Sequence, residues 1–246
     1  ARVTPVFTTW VKRWPTPAAL AEATSAEVLH AWGRLGYPRR AMRLHQAAKA
    51  IVEDHGGSVP RELDDLLALP GVGDYTAAAI HSFAFGGRAV VLDTNVRRVF
   101  ARPIGGVERP GASITRTERD LAFDLLPREN ADLWAAATME LGAVVCTART
   151  QDCEACPVRG LCAWRVAGYP ESDLPKPRGQ AWNGTDRQCR GRIMSALRDA
   201  AHPVSKPLID IVWPEADQRE RCLDSLLDEQ LVSLTADGSF VLGAGD

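Results

Sequence analysis

Four cysteines, Cys146, Cys153, Cys156 and Cys162, follow one another in the spacing C-x6-C-x2-C-x5-C. Four thiolates on a turn-rich loop can close around one metal centre, and Pro157 and Gly160 supply the sharp bends. A four-cysteine zinc site usually shows two C-x2-C knuckles, and only one is present. The spacing therefore favours a [4Fe–4S] cluster over zinc, and either of these over a disulfide or plain burial. Cys189 and Cys222 lie on apolar helix faces and read as core residues.

Two further stretches have chemical potential. Leu69-Pro70-Gly71-Val72-Gly73-Asp74-Tyr75 joins two short helical patterns. Its glycines let backbone N–H groups face outward at the start of the second helix, which makes an anion site without any side chain. The plainer alternative is an ordinary helix–turn–helix corner. Val72 is expected to anchor this turn in the core. The second stretch is Val91-Leu92-Asp93-Thr94-Asn95-Val96, an aspartate set among apolar residues. Asp93 reads as the N-cap of a helix beginning near Thr94, where the helix dipole would also hold it ionised.

The elements that position these residues are mostly helical. Val3, Val6, Phe7, Trp10 and Val11 recur at helical spacing, and Thr24 to Glu27 forms a capping box. A long helix closes at Gly56-Gly57, and helical patterns continue through residues 114–127 and 130–145. Neither βαβ alternation nor an internal repeat is visible. We expect a helical domain over 1–145 with its hairpin at 69–75, a cysteine loop at 146–168 and a Pro/Gly-rich linker at 169–184. A small winged-helix-like module follows at 185–246: three helices, then two alternating apolar runs around Asp237-Gly238.

The cysteine loop resembles that of the endonuclease III and MutY group of DNA glycosylases. The L-P-G-V-G hairpin resembles the helix-hairpin-helix of the same group, and L-D-T-N-V resembles its catalytic aspartate segment. The resemblance covers residues 1 to about 170. It implies a mainly α, helix-hairpin-helix glycosylase fold with a structural [4Fe–4S] cluster on Cys146, Cys153, Cys156 and Cys162. It further implies that Leu69, Gly71, Val72 and Gly73 grip a DNA phosphate, sometimes with a monovalent cation on the hairpin carbonyls. Arg149, Arg159 and Arg165, in or beside the loop, fit a surface turned to DNA.

Hydrolysis of an N-glycosidic bond builds positive charge on the sugar and needs a carboxylate nearby. The resemblance gives this role to Asp93, with Asn95 beside it at the DNA. In the lyase branch of the group, a lysine at the position of Tyr75 attacks the sugar to form a Schiff base. A phenol cannot, so Tyr75 implies base removal without strand cleavage. G-V-G-D-Y-T-A-A-A-I-x-S-F-A-F and L-G-Y-P-R-R-A resemble the MutY-type adenine glycosylases in particular. There, Tyr37 would wedge into the duplex and Arg39 would contact DNA. The expected reaction is excision of adenine opposite 8-oxoguanine or guanine. Mismatch thymine glycosylases share the tyrosine, so a thymine or uracil glycosylase of this fold is the enzyme alternative. A non-catalytic iron–sulfur DNA-binding module is the alternative from another class.

The chain departs from the family in three places. Pro38 stands where the family has a second tyrosine. The family's catalytic glutamate precedes the segment matching Ala1 to Pro5, and Glu22 and Glu27 do not match it. From this we expect an N-terminally truncated glycosylase with little or no excision activity. A Nudix-like domain that reads 8-oxoguanine has no counterpart in 185–246.

Composition is that of an ordinary globular protein, with 46% apolar and 24% charged residues in 246. No apolar run reaches the roughly 18 residues a membrane span needs, so no membrane contact is expected. Clustered cysteines without an export signal fit a cytoplasmic, nucleoid-associated monomer. The net charge of −2 argues mildly against nucleic acid, but it is unevenly spread. Residues 1–60 carry +4 and 141–200 carry +3, whereas 201–246 carry −6. Double-stranded DNA with a mispair is the expected partner. The acidic tail is expected to pack or to contact protein more readily than DNA.

Overall fold

The computed structural model describes residues 3–175, 179 and 181–244, so the linker expected at 169–184 is seen only in part. Thirteen α-helices and one two-stranded antiparallel sheet are present among the described residues. No helix among them is long and apolar enough to cross a membrane. The chain divides into two compact units, each interrupted in sequence.

The first unit takes residues 1–60, 69–71 and 178–246. It opens with α1 (Thr4–Arg13), α2 (Pro17–Ala21), α3 (Ser25–Trp32) and α4 (Arg39–His55). The capping box forms as the sequence predicts: Thr24 Oγ1 accepts from the Glu27 N–H, and Glu27 returns to the Thr24 N–H. Glu27 also pairs with Arg13, so its carboxylate is engaged structurally. Gly56, left-handed at φ 59°, ends α4. Only part of the α1 apolar face is covered. Trp10 meets Trp14 and Trp32 edge to face, while Phe7 and Val11 stay exposed.

The same unit contains α11 (Asp186–Asp199), α12 (Lys206–Asp210), α13 (Ala216–Asp228) and the strands β1 (Val232–Leu234) and β2 (Phe240–Leu242). Three helices and a hairpin are therefore present where the winged-helix-like module was expected. They do not make a core of their own. Leu20, Val28, Leu29 and Ala41 share one buried cluster with Cys189, Ile193, Cys222, Leu226 and Leu242. Cys189 and Cys222 are core residues, and burial above all pushes the Cys189 thiol up to about 12.

The second unit takes residues 61–68 and 72–177. Its helices are α5 (Leu63–Ala68), α6 (Asp74–Phe85), α7 (Thr94–Ala101), α8 (Arg116–Leu125), α9 (Ala131–Glu140) and α10 (Ala163–Val166). A π-turn at Leu141–Val145 continues α9 toward the first cysteine. Leu92, Val96, Val99, Phe100 and Ala122 form one core cluster of this unit. A smaller one gathers Ala78, Ala89, Val91 and Ala135.

Candidate active site and nucleic-acid interface

Asp93 caps α7. Its Oδ1 accepts from the backbone N–H groups of Asn95 and Val96 at 2.8 and 2.7 Å, and its Oδ2 accepts from Asn95 Nδ2 at 2.9 Å. The carboxylate is thus fixed in direction by three donors and lies at the positive end of the helix. Tyr75, in the first turn of α6, is close enough to feel that charge. Burial, and second the Asp93 carboxylate, raise the Tyr75 hydroxyl above its usual value. The phenol is therefore neutral and a donor near neutral pH. Tyr75 stands in the first turn of α6 and Asp93 at the N-cap of α7.

Behind Asp93 stands a residue that the sequence did not single out. Arg98 is buried, and its Nη2 donates to Asn95 Oδ1 at 2.8 Å and to the Gly142 carbonyl at 2.5 Å. Its Nε donates to the Cys146 carbonyl at 2.7 Å. Asn95 thereby links the aspartate to Arg98, and Arg98 links it to the backbone of the first loop cysteine. The partners lie 44 and 48 residues apart, so no local pattern reveals them.

The four cysteines line one cavity, together with Arg102, Trp164 and Arg165. Cys162 is buried and the other three are half-buried. Burial chiefly, and in smaller part the neighbouring Cys146, Cys153 and Cys162, raise the Cys156 thiol. Arg102 Nη1 lies 3.2 Å from Cys146 Sγ and suits a thiolate. Among the described residues no three His, Cys, Asp or Glu side chains are arranged to hold a single metal ion. In the loop, Arg159 pairs with Glu154 at 2.8 Å, while Arg149 is exposed.

At the hairpin, Gly71 adopts φ +77°, and a Cβ there would fall 2.5 Å from Cβ of Arg43. Glycine is required both by conformation and by this close approach. Gly73 is extended and caps α6 without a side-chain hydrogen bond. Val72, expected to anchor the turn in the core, is only half-buried. The buried residues here are Leu66 and Leu69, because α5 turns its apolar face inward and Val72 lies past the bend. Tyr37 is exposed at φ 49°, in the conformation that Gly and Asn favour, with Arg40 over its ring at 5.2 Å. Arg39 pairs with Glu229.

A family model for the HhH-GPD superfamily of base excision DNA repair proteins matches residues 1–122, and that is the class the hairpin and the Asp93 segment define. Among curated proteins, the adenine DNA glycosylase of Mycobacterium tuberculosis is 52% identical over 244 residues, covering 98% of this chain and 80% of that protein. The adenine DNA glycosylase of Mycolicibacterium smegmatis is 49% identical over 249 residues, covering 100% and 84%. Among solved structures, a thermostable thymine-DNA glycosylase superposes with a TM-score of 0.61 at 27% identity, covering 67% of this chain and 76% of that one. The chain belongs to the adenine DNA glycosylase family, enzymes of base excision repair that hydrolyse an N-glycosyl bond.

Proposed function

We propose that this protein excises adenine paired with 8-oxoguanine or guanine from double-stranded DNA, without cutting the strand. The observation that carries this reading is the Asp93 carboxylate fixed at the N-cap of α7, with a phenol and not an amine at position 75. Once adenine is turned out of the stack, its departure leaves positive charge on the deoxyribose. Asp93, locked by two backbone N–H groups and Asn95, opposes that charge without having to reorient. Tyr75 offers a neutral hydroxyl to orient the sugar and no amine with which to form a Schiff base. Water adds to the sugar cation, and the proton it gives up balances the one taken by the departing adenine. The proton for the departing adenine is not assigned to Glu27, which is occupied at the α3 cap.

The hairpin Leu69, Gly71, Val72 and Gly73 holds a DNA phosphate on its backbone, with a monovalent cation on its carbonyls. Tyr37 wedges into the duplex. Cys146, Cys153, Cys156 and Cys162 hold a [4Fe–4S] cluster, supported by their common cavity and by Arg102 beside the first sulfur. When bound, the cluster ties the loop together and leaves the hydrolysis to the protein's side chains.

The test is single-turnover base release from matched duplexes carrying A·8-oxoguanine, A·G, T·G or U·G. Adenine release with an intact strand before alkali treatment is the expected result when the chain carries, ahead of Ala1, the glutamate-bearing segment of the family, and the 246 residues alone are expected to release little. The likeness to the thymine-DNA glycosylase structure favours a second reading, mismatch thymine excision. Release confined to T·G or U·G would replace the first reading with it.

A further inference from the structure

Three of the nine carboxylates of residues 201–246, Asp210, Glu220 and Glu229, are paired within the unit, while Glu215, Asp217, Asp224 and Asp228 are exposed. Glu229 takes Arg39 and Arg190, Asp186 takes Arg221, and Asp210 and Glu220 share Lys206 and Arg219. With these carboxylates engaged inside the unit, the N-terminal turn of α11 presents something else. Arg187 lies with its guanidinium 4.8 Å from the centre of the Tyr37 ring and 5.4 Å from that of Trp182. Both rings are more than half exposed, at 58% and 51%. The Arg40 guanidinium lies 5.2 Å from the centre of the same Tyr37 ring. The Trp182 indole lies against Gly191 of α11, which offers no side chain; a Cβ there would stand 3.9 Å from the ring. Aromatic residues interleaved with arginines and held open to solvent are the chemistry of base stacking and phosphate contact.

We propose that Trp182 and Arg187 form, with Tyr37 and Arg40, one DNA-binding surface, so that the C-terminal segment extends the wedge on the duplex. This rests on DNA being the substrate. Trp182 stacks on a base or sugar exposed by the wedge, and Arg187 meets a phosphate once its rings part to admit the strand. Arg39 has a different task. Its pairing with Glu229 ties the start of α4 to the end of α13 and so holds Tyr37 in register with α11.

Fluorescence anisotropy on a labelled duplex tests this, with a 2′-fluoro sugar under the target adenine to block cleavage. R187A is expected to weaken binding and to lower the slope of log Kd against log salt by about one. W182A is expected to weaken binding about five-fold or more with the slope unchanged, and W182F to restore most of it. Thermal midpoints should match the wild type, since both side chains are exposed. Wild-type affinity in both variants, with the wild type binding well, overturns the surface and leaves adenine excision standing. Weakened binding accompanied by a lowered midpoint assigns these residues to packing and also overturns it. Failure of the wild type itself to bind the duplex would instead remove the DNA reading.

Discussion

Gly142 lies so close to Asn95 that a Cβ on it would stand 2.7 Å from the Asn95 carbonyl oxygen. The π-turn after α9 can approach the first turn of α7 only because position 142 has no side chain. That approach lets the Gly142 carbonyl and Asn95 Oδ1 share one Arg98 nitrogen. G142A must push α7 or the turn aside, at about 1–3 kcal/mol of stability. A small displacement of Asp93 costs more in rate than in fold, so single-turnover excision is expected to fall by ten-fold or more while duplex affinity holds. Stopped-time base release and thermal melts on the same preparation check this.

Asp93 has two duties that substitution separates. D93N keeps an oxygen able to cap α7, and stability is expected to change by less than about 1 kcal/mol. The charge facing the sugar cation is lost, and excision is expected to fall by about a thousand-fold or more. D93A loses the cap as well and should melt lower by about 1 kcal/mol. Calorimetry beside single-turnover kinetics separates the two duties.

The same change reaches Tyr75. Burial is the larger cause of its raised pKa and the Asp93 charge the smaller. D93N should therefore move the tyrosine titration downward yet leave it above the ordinary range. Ultraviolet difference titration of D93N against D93N/Y75F isolates this phenol.

Glu229 sets an acid limit. Arg39 chiefly, then Arg190 and Ser225, draw its carboxyl down to about 2. A depressed carboxyl stabilises the fold fully above its unfolded value of 4.5, and that contribution drains as pH falls toward 2. The side chain is only 13% exposed, so the pair is poorly screened. E229Q is expected to cost about 2–3 kcal/mol at neutral pH and almost nothing near pH 2. Denaturant melts across that window show whether the two curves converge.

The cluster reading has its own check. C162S removes the most buried of the four sulfurs, and an absorbance shoulder near ~410 nm should disappear along with iron content. A full shoulder in C162S would exclude Cys162 as a ligand.

What the sequence made legible was local. The N-cap at Asp93, the capping box at Thr24, the glycine at 71 and the cysteine spacing each act within a few residues, and each could be read from residue type and offset. Arg98 and Gly142 could not. Their function exists only through contacts more than 40 residues away. Val72 shows the limit within a turn. An apolar residue between glycines is as compatible with the rim as with the core, and burial went to Leu66 and Leu69. Charge counting could not say which carboxylates of the tail are paired: Glu229 is, whereas Asp224 and Asp228 stay exposed.

The core that joins Val28 and Leu29 to Leu226 and Leu242 has a temporal consequence. On the ribosome, residues 72–177 are a nearly continuous stretch and can condense as soon as they emerge. The first helices must wait for β2, about two hundred residues later, before their apolar faces are covered. Helices α1 to α4 are thus made before residues 72–177 but finished after them, and a nascent chain stalled before α11 would carry a folded 72–177 stretch beside unprotected, aggregation-prone helices.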